Sequence, residues 1–469
     1  MRNYFLTICF LFASVIVFAQ TGHIMQGVGA VNMSMGGAAT AQPLDISGAL
    51  QWNPASISVF DGKILKFDIG AFSGSPKLYS TVTDPESGFT LSGSTEDDKG
   101  LSPMPAIAFV WGDEGSKHTF GVSFFGISGF GVDFPEDLNY PQDLQGNPNP
   151  DFDPNEPANP IGFPQYAGGF GHLASDYMLL QVGLTWAYQV SEKFSVGIEP
   201  TINYGALEIG PNPLARPDFT GKGYPESDRA GSIGFGAQIG VFYDTQEGFK
   251  IGASYKTQQY FEDMKFDSKY LDGSEAPEVK FTMNYPAVYS IGLGYSKAKF
   301  DLALDYRYVD YENADGFEKS GWEIGENGFP TGAVNGFGWK SISVISVGFQ
   351  YKGIEKLPLR VGYTYSSNPI DEDLTFFSMP ATAVIAHAFQ FGFSYPINDK
   401  FLLDAVYHHG MSDGKTEGSM LSPMAITPSN PLGKVPNTKV GYDMTTDMVM
   451  VGVSYTFGNK STETVDPAE

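Results

Sequence analysis

Several groupings in this chain carry residue types that could do chemistry, and each runs into a physical objection. Asp404, His408, His409, Ser412 and Asp413 supply the parts of a nucleophile and its base, which must sit within hydrogen-bond reach of one another. The segment alternates like a strand, however, and strand neighbours point to opposite faces, so His408 and His409 cannot share one site. Gly410 to Thr416 is one residue short of a phosphate-binding loop. Asp151-Phe152-Asp153-Pro154-Asn155 opens like a calcium loop, but Glu156 stands where that loop needs glycine. Neither cysteines nor paired histidines fall at metal-ligand spacing. The expectation is a protein that is not an enzyme, with no metal and no cofactor.

The charged residues are more telling for where they fall. Phe300, Leu302, Leu304, Tyr306 and Tyr308 share one strand face, and Asp301, Ala303, Asp305 and Arg307 share the other. Leu359, Val361, Tyr363 and Tyr365 likewise oppose Arg360, Gly362 and Thr364. Val449 to Phe457 repeats the pattern against Met450, Gly452, Ser454 and Thr456. Arg307 and Arg360 thus point to the polar side. Two readings stay open for them: a structural charge ladder with Asp305, or cations that hold an anionic ligand.

The same alternation runs from about residue 62 to Phe457, and its connections decide what it builds. Tight links near 112–116, 190–193, 244–248, 296–299, 353–356 and 396–400 alternate with long ones near 75–100, 135–172, 211–227, 263–277, 314–335, 370–383 and 414–442. A meander places every second connection at the same end, so one end has tight turns and the other long loops. With no apolar run long enough for a spanning helix, this predicts an all-β fold, a transmembrane antiparallel β-barrel of about fourteen strands. Closure leaves no strand edge unpaired in hydrocarbon.

Residues 1–19 read as a signal peptide: Arg2, the apolar run Phe5 to Phe18, and a cleavage site at Ala19. The single cysteine, Cys9, leaves with it. The formal charge of −25 argues against nucleic acid as a partner. Acids crowd one long link, from Asp133 and Glu136 to Glu156; they read either as a solvated surface or as a bridge through divalent cations to lipopolysaccharide. Residues 458–469 read as a disordered acidic tail, and the barrel as a monomer in outer-membrane lipid, placed there by the barrel-assembly machinery.

Residues 20–61 precede the alternation and fit neither strand nor linker. They are rich in small residues, among them Gly36, Gly37, Ala38 and Ala39, followed by Asp45 and Asn53-Pro54-Ala55. Small side chains allow close packing in a confined space, and Pro54 enforces a turn, as a plug inside the lumen would require. Gly27-x-Gly29-Ala, Gly36-Gly37-Ala38-Ala39, Asp45 and Asn53-Pro54-Ala55 resemble the N-terminal hatch of the FadL/TodX family of outer-membrane transporters of hydrophobic compounds. Gly121 to Phe134 is similar to that family's kinked third strand. Tyr285-Pro286-Ala287, Leu359 to Tyr365 with Asn368-Pro369, and the strand ending at Phe457 follow in order.

The resemblance implies a fourteen-stranded barrel whose lumen is blocked by the hatch, with Asn53-Pro54-Ala55 as its constricting loop. It implies capture of a hydrophobic small molecule at the long loops, which would be extracellular in a Gram-negative outer membrane. The ligand would leave sideways through a gap at the third strand, around Phe125, Gly126, Ser128, Gly129, Phe130 and Gly131. The glycines themselves weaken strand pairing and permit a bulge, though they could equally relieve crowding at tight curvature. Phe125 and Phe130 either line the opening or face lipid. Long-chain fatty acids are the expected ligand class. Glu208-Ile209-Gly210-Pro211, with Arg216 nearby, departs from the cationic site that fatty-acid carriers use, which leaves aromatic hydrocarbons and alkanes open, as well as a porin or a structural barrel.

Overall fold

The computed structural model describes residues 22–458 except Glu114; the signal-peptide and tail readings lie outside them. The chain enters through two short helices, α1 (Ala30–Ser34) and α2 (Ile46–Trp52), and a 3-10 turn (Pro54–Val59). Asp45 caps α2 by accepting from the Gly48 amide, and Asn53 caps the turn in which Pro54 supplies the first residue.

The wall follows as β1 (Gly62–Thr83), β2 (Leu101–Gly112), β3 (His118–Phe134), β4 (Leu173–Ser191), β5 (Phe194–Gly210), β6 (Ala230–Asp244) and β7 (Phe249–Lys256). It continues as β8 (Ala287–Lys297), β9 (Phe300–Asp310), β10 (Ile342–Tyr351), β11 (Leu359–Ser366), β12 (His387–Pro396), β13 (Phe401–Met411) and β14 (Thr438–Phe457). Each strand pairs antiparallel with the next, and β1 pairs with β14 from Lys63↔Phe457 to Val82↔Thr438, which closes the barrel. Fourteen strands is the number read from the links.

Burial turns a water-soluble protein inside out. On β9, Asp301, Ala303, Asp305 and Arg307 are buried, whereas Leu302, Leu304 and Tyr306 are exposed. The same holds along β5 and β6, where Ile198, Ile202, Ile233 and Phe235 face outward. Such an apolar outer band is what hydrocarbon requires of a barrel. Near the tight turns, outward rings pair in a girdle: Trp111 with Phe120 at 5.7 Å, and Phe401 with Tyr455 at 4.8 Å.

At the long-loop end, wall strands run on into two of the expected links. The first link is mostly strand, because β1 runs on to Thr83 and forms a hairpin with Thr90–Glu96. β14 begins at Thr438, inside the range read as loop. In both, apolar residues such as Leu78, Val440 and Tyr442 face inward while outward positions such as Lys439 are polar, so the apolar outer band of a membrane strand is missing there.

Candidate functional site

Residues 22–60 fill the lumen and are held by side chains that reach in from the wall. On β9 a single Asp305 carboxylate oxygen accepts from the Ala39 and Thr40 amides, each at 2.9 Å, and from the Thr40 hydroxyl at 2.7 Å. Arg307 pairs with the same oxygen at 2.7 Å, donates to the Gly37 carbonyl and lies 3.7 Å over the Trp52 ring. On β11, Arg360 donates to the Ser34 hydroxyl at 2.8 Å, and Thr364 donates to the Gly36 carbonyl at 2.8 Å. Arg307 and Arg360 therefore both reach the N-terminal segment, Arg307 beside Asp305 and Arg360 beside Asp404.

A second cluster escaped the sequence reading. Lys66 of β1 lies 2.8 Å from both Asp45 of the plug and Asp404 of β13. Asp68, two residues on and on the same face, accepts from the Ala30 amide at 2.9 Å. The signal was available as Lys66-x-Asp68 at inward positions of the first strand. Asp404 is thus committed to Lys66 and Ser394. His408 faces inward beside Gln390, and His409 pairs outward with Asp447 at 2.9 Å. The Ser/His/Asp grouping is dispersed over two faces.

Asn53 is fully buried. Its amide nitrogen donates to the Thr40 carbonyl at 2.8 Å and across to the Val241 carbonyl of β6 at 3.0 Å, and its oxygen accepts from the Ala55 amide at 3.1 Å. The wall makes room by omitting side chains. A Cβ on Gly240 would lie 2.1 Å from the Asn53 oxygen, and one on Gly252 would lie 2.1 Å from the Thr40 carbonyl. Both glycines occupy inward positions of their strands, so only backbone meets the plug there.

β3 carries the break in the wall. Its register with β4 passes from Gly126↔Leu180 to Ser128↔Leu179, leaving Ile127 as an extra residue. This bulge shifts the face count: Ser123 and Phe125 are buried before it, and Ser128, Val132 and Phe134 after it. The β2–β3 ladder stops at Ala106↔Phe125, although β2 stays paired to β1 as far as Leu101 and β3 to β4 as far as Phe134. A gap is left between residues 101–105 and 126–134. Phe125 is buried, and Phe130 packs inward on Tyr177 with ring centres 5.0 Å apart; neither faces lipid.

The N-terminal segment covers the bared edge of β3. Ile24 bridges Ser128; the Met25 amide donates to the Ile127 carbonyl at 3.0 Å, and the Gly129 amide donates to the His23 carbonyl at 3.1 Å. His23 anchors this segment in an aromatic nest, stacked on Phe317 at 4.9 Å and hydrogen-bonded through Nδ1 to the Tyr311 hydroxyl at 2.8 Å. Burial pushes its pKa down from 6.5 to about 3, so the ring is neutral.

A cavity of about 300 Å³ runs from this segment to the gap. Met25, Met33, Met104, Met178, Met444 and Met448 line it; unbranched, polarizable thioethers adapt to ligands of varied shape. Its rim carries Lys99 and Arg229, which share Asp176 at 3.5 and 2.8 Å. Arg216 lies elsewhere, in an exposed pair with Glu323 at 2.7 Å.

Solved structures with this architecture include the toluene transporter TodX of P. putida (TM-score 0.62, 15% identity, 92% of this chain and 99% of that one). They also include a FadL homologue of Pseudomonas aeruginosa (TM-score 0.68, 12% identity, 93% and 100%), and the toluene transporter TbuX of Ralstonia pickettii (TM-score 0.59, 16% identity, 92% and 99%). At these identities the likeness is one of fold. No curated protein sequence matches the chain. The family model for outer membrane protein transport proteins (OMPP1/FadL/TodX) matches residues 163–461, from ahead of β4 to past β14. The plug and the kinked strand lie outside that span, and their likeness rests on the geometry above. With most of its wall matched by that model, the chain belongs to the OMPP1/FadL/TodX family of outer-membrane transport proteins.

Proposed function

We propose that the protein takes up uncharged hydrophobic small molecules, such as alkylbenzenes, from the extracellular side, through the methionine-lined cavity and out sideways at the β3 gap. The observation that carries this reading is the continuity of that apolar cavity with the break between β2 and β3. A poorly soluble molecule gains nothing from a watery channel, whereas a path that ends in lipid never returns it to water. The long loops face outward, the plug occupies residues 20–61, the barrel 62–457, and Asn53-Pro54-Ala55 forms the constriction.

An uncharged ligand is favoured because Lys66, Arg307 and Arg360 each already pair with a carboxylate. Fatty acids form the second reading, supported by Lys99 and Arg229 at the rim. A carboxylate there would have to displace Asp176.

Uptake of a labelled alkylbenzene and a labelled long-chain fatty acid by cells that lack other such transporters separates the two. The expected result is alkylbenzene uptake that survives Lys99→Met and Arg229→Met. Fatty-acid uptake abolished by either substitution would reverse the assignment. Uptake of neither, with the protein present in the outer membrane, would exclude both.

A further inference from the structure

We infer that Pro103 and Pro105 of β2 hold the side opening permanently open, by leaving β3 no strand edge to pair with. The inference rests on the side-exit reading only for its functional consequence.

In an antiparallel strand the N–H and C=O of one residue point to the same neighbour, and those of the next residue to the other. Pro103 and Pro105 are two apart, so both turn the same way. β2 keeps unbroken register with β1 from Leu101↔Ser73 to Gly112↔Gly62, with Pro103↔Ala71 and Pro105↔Ile69 inside it. Proline has no N–H to give, so an intact ladder toward β1 requires the prolines' nitrogens to face the other way, toward β3. On that side the β2–β3 ladder ends at Ala106↔Phe125, one residue short of Pro105 along the ladder. The same register carried further would set Pro105 opposite Gly126, Pro103 opposite Ser128 and Ser102 opposite Gly129, and neither proline could donate.

With no donors offered from β2 at the prolines, the opposite edge is free for the chain's N-terminal segment. The Ile127 carbonyl and the Gly129 amide of β3 already bond to Met25 and His23, and the Ser128 hydroxyl donates to the His23 carbonyl at 3.0 Å. One edge of the opening lacks a donor at both prolines, and the other is occupied by the chain's own N-terminal segment. Prolines are ordinarily confined to sheet edges; here two of them make an edge in the middle of a closed wall. The opening is therefore a fixed feature of the wall, not a seam that parts when ligand arrives.

Cross-linking reads the seam directly, because Cys9 is the only cysteine and precedes the described residues. Ser102→Cys with Gly129→Cys is introduced into the full chain with and without Pro103→Thr and Pro105→Thr. Folding is checked by the heat-sensitive gel mobility of the barrel. We expect the cysteine pair to stay reduced beside the prolines and to form the disulfide once both are threonine. We also expect Pro103→Thr/Pro105→Thr without the cysteines to lose uptake of the labelled alkylbenzene. Should the double variant not fold, Pro105→Thr alone decides, since it extends the ladder from its existing end and should raise disulfide formation above wild type. A folded barrel with no gain in disulfide overturns the inference. A gain in disulfide with uptake intact leaves the prolines' role standing and overturns the side exit.

Discussion

His23 shows how one side chain ties ligand path to plug. Its carbonyl takes the Gly129 amide while its ring is buried among aromatics without charge. Once the segment detaches, the ring regains its ordinary pKa of 6.5, against about 3 in place. The detached state therefore binds the extra proton, and attachment is at full strength above pH 6.5 and weakens as pH falls toward 3. By pH 5 the loss should be roughly 2 kcal/mol. Hydrogen exchange at the Met25 and Gly129 amides, corrected for intrinsic rates, should speed up between pH 7.5 and 5 in wild type. In His23→Gln it should not. Residue-scale legibility was uneven. Asp305 and Arg307 were readable because they sit two apart on one face, whereas Lys66 meets Asp404 only through the closure of the barrel, which local pattern cannot convey.

The element that matters most is β3, and its glycines were legible as a site of bending while the bulge residue itself was not. Gly126, Gly129 and Gly131 mark where pairing is weak, but Ile127 is an ordinary strand former. Only the register against β4 identifies it as the additional residue. Deleting Ile127 would restore plain alternation across the bulge and keep Phe125 and Ser128 on the inward face. The variant should therefore straighten β3 without inverting it. We expect it to insert and fold, to lose protection at the Met25 amide, which donates to the Ile127 carbonyl, and to lose alkylbenzene uptake. Full uptake by the deletion variant would separate transport from the kink. The unexpected length of β1 has a similar cause, since its upper half pairs with Thr90–Glu96 through polar side chains that resemble loop composition.

For the molecule as a whole, the sequence reading recovered the wall well and the plug's packing poorly. Alternation and link order are local properties and survive translation into fourteen strands. The fit of plug to wall depends on inward glycines such as Gly240 and Gly252, whose meaning appears only when the opposite surface is known. The plug should also be the barrier to ions. Asn53→Ala removes a side chain bonded to Thr40, Val241 and Ala55, and leaving such groups buried without partners costs roughly 1–3 kcal/mol. Planar-bilayer recordings should show low, steady conductance for wild type and larger, fluctuating conductance for Asn53→Ala. Equal conductance would mean that the loops, not the plug, set the barrier.

The ladder between β1 and β14 is longer than those of β3 with β4 or β4 with β5, and it joins the first wall strand to the last. The plug hangs directly from β1, yet it is gripped from β6, β9 and β11 on other parts of the wall. Those grips come from strands far apart in sequence. They come together only in a closed cylinder, so the bore and the first forty or so residues of the path define one another, like a lock built around its key.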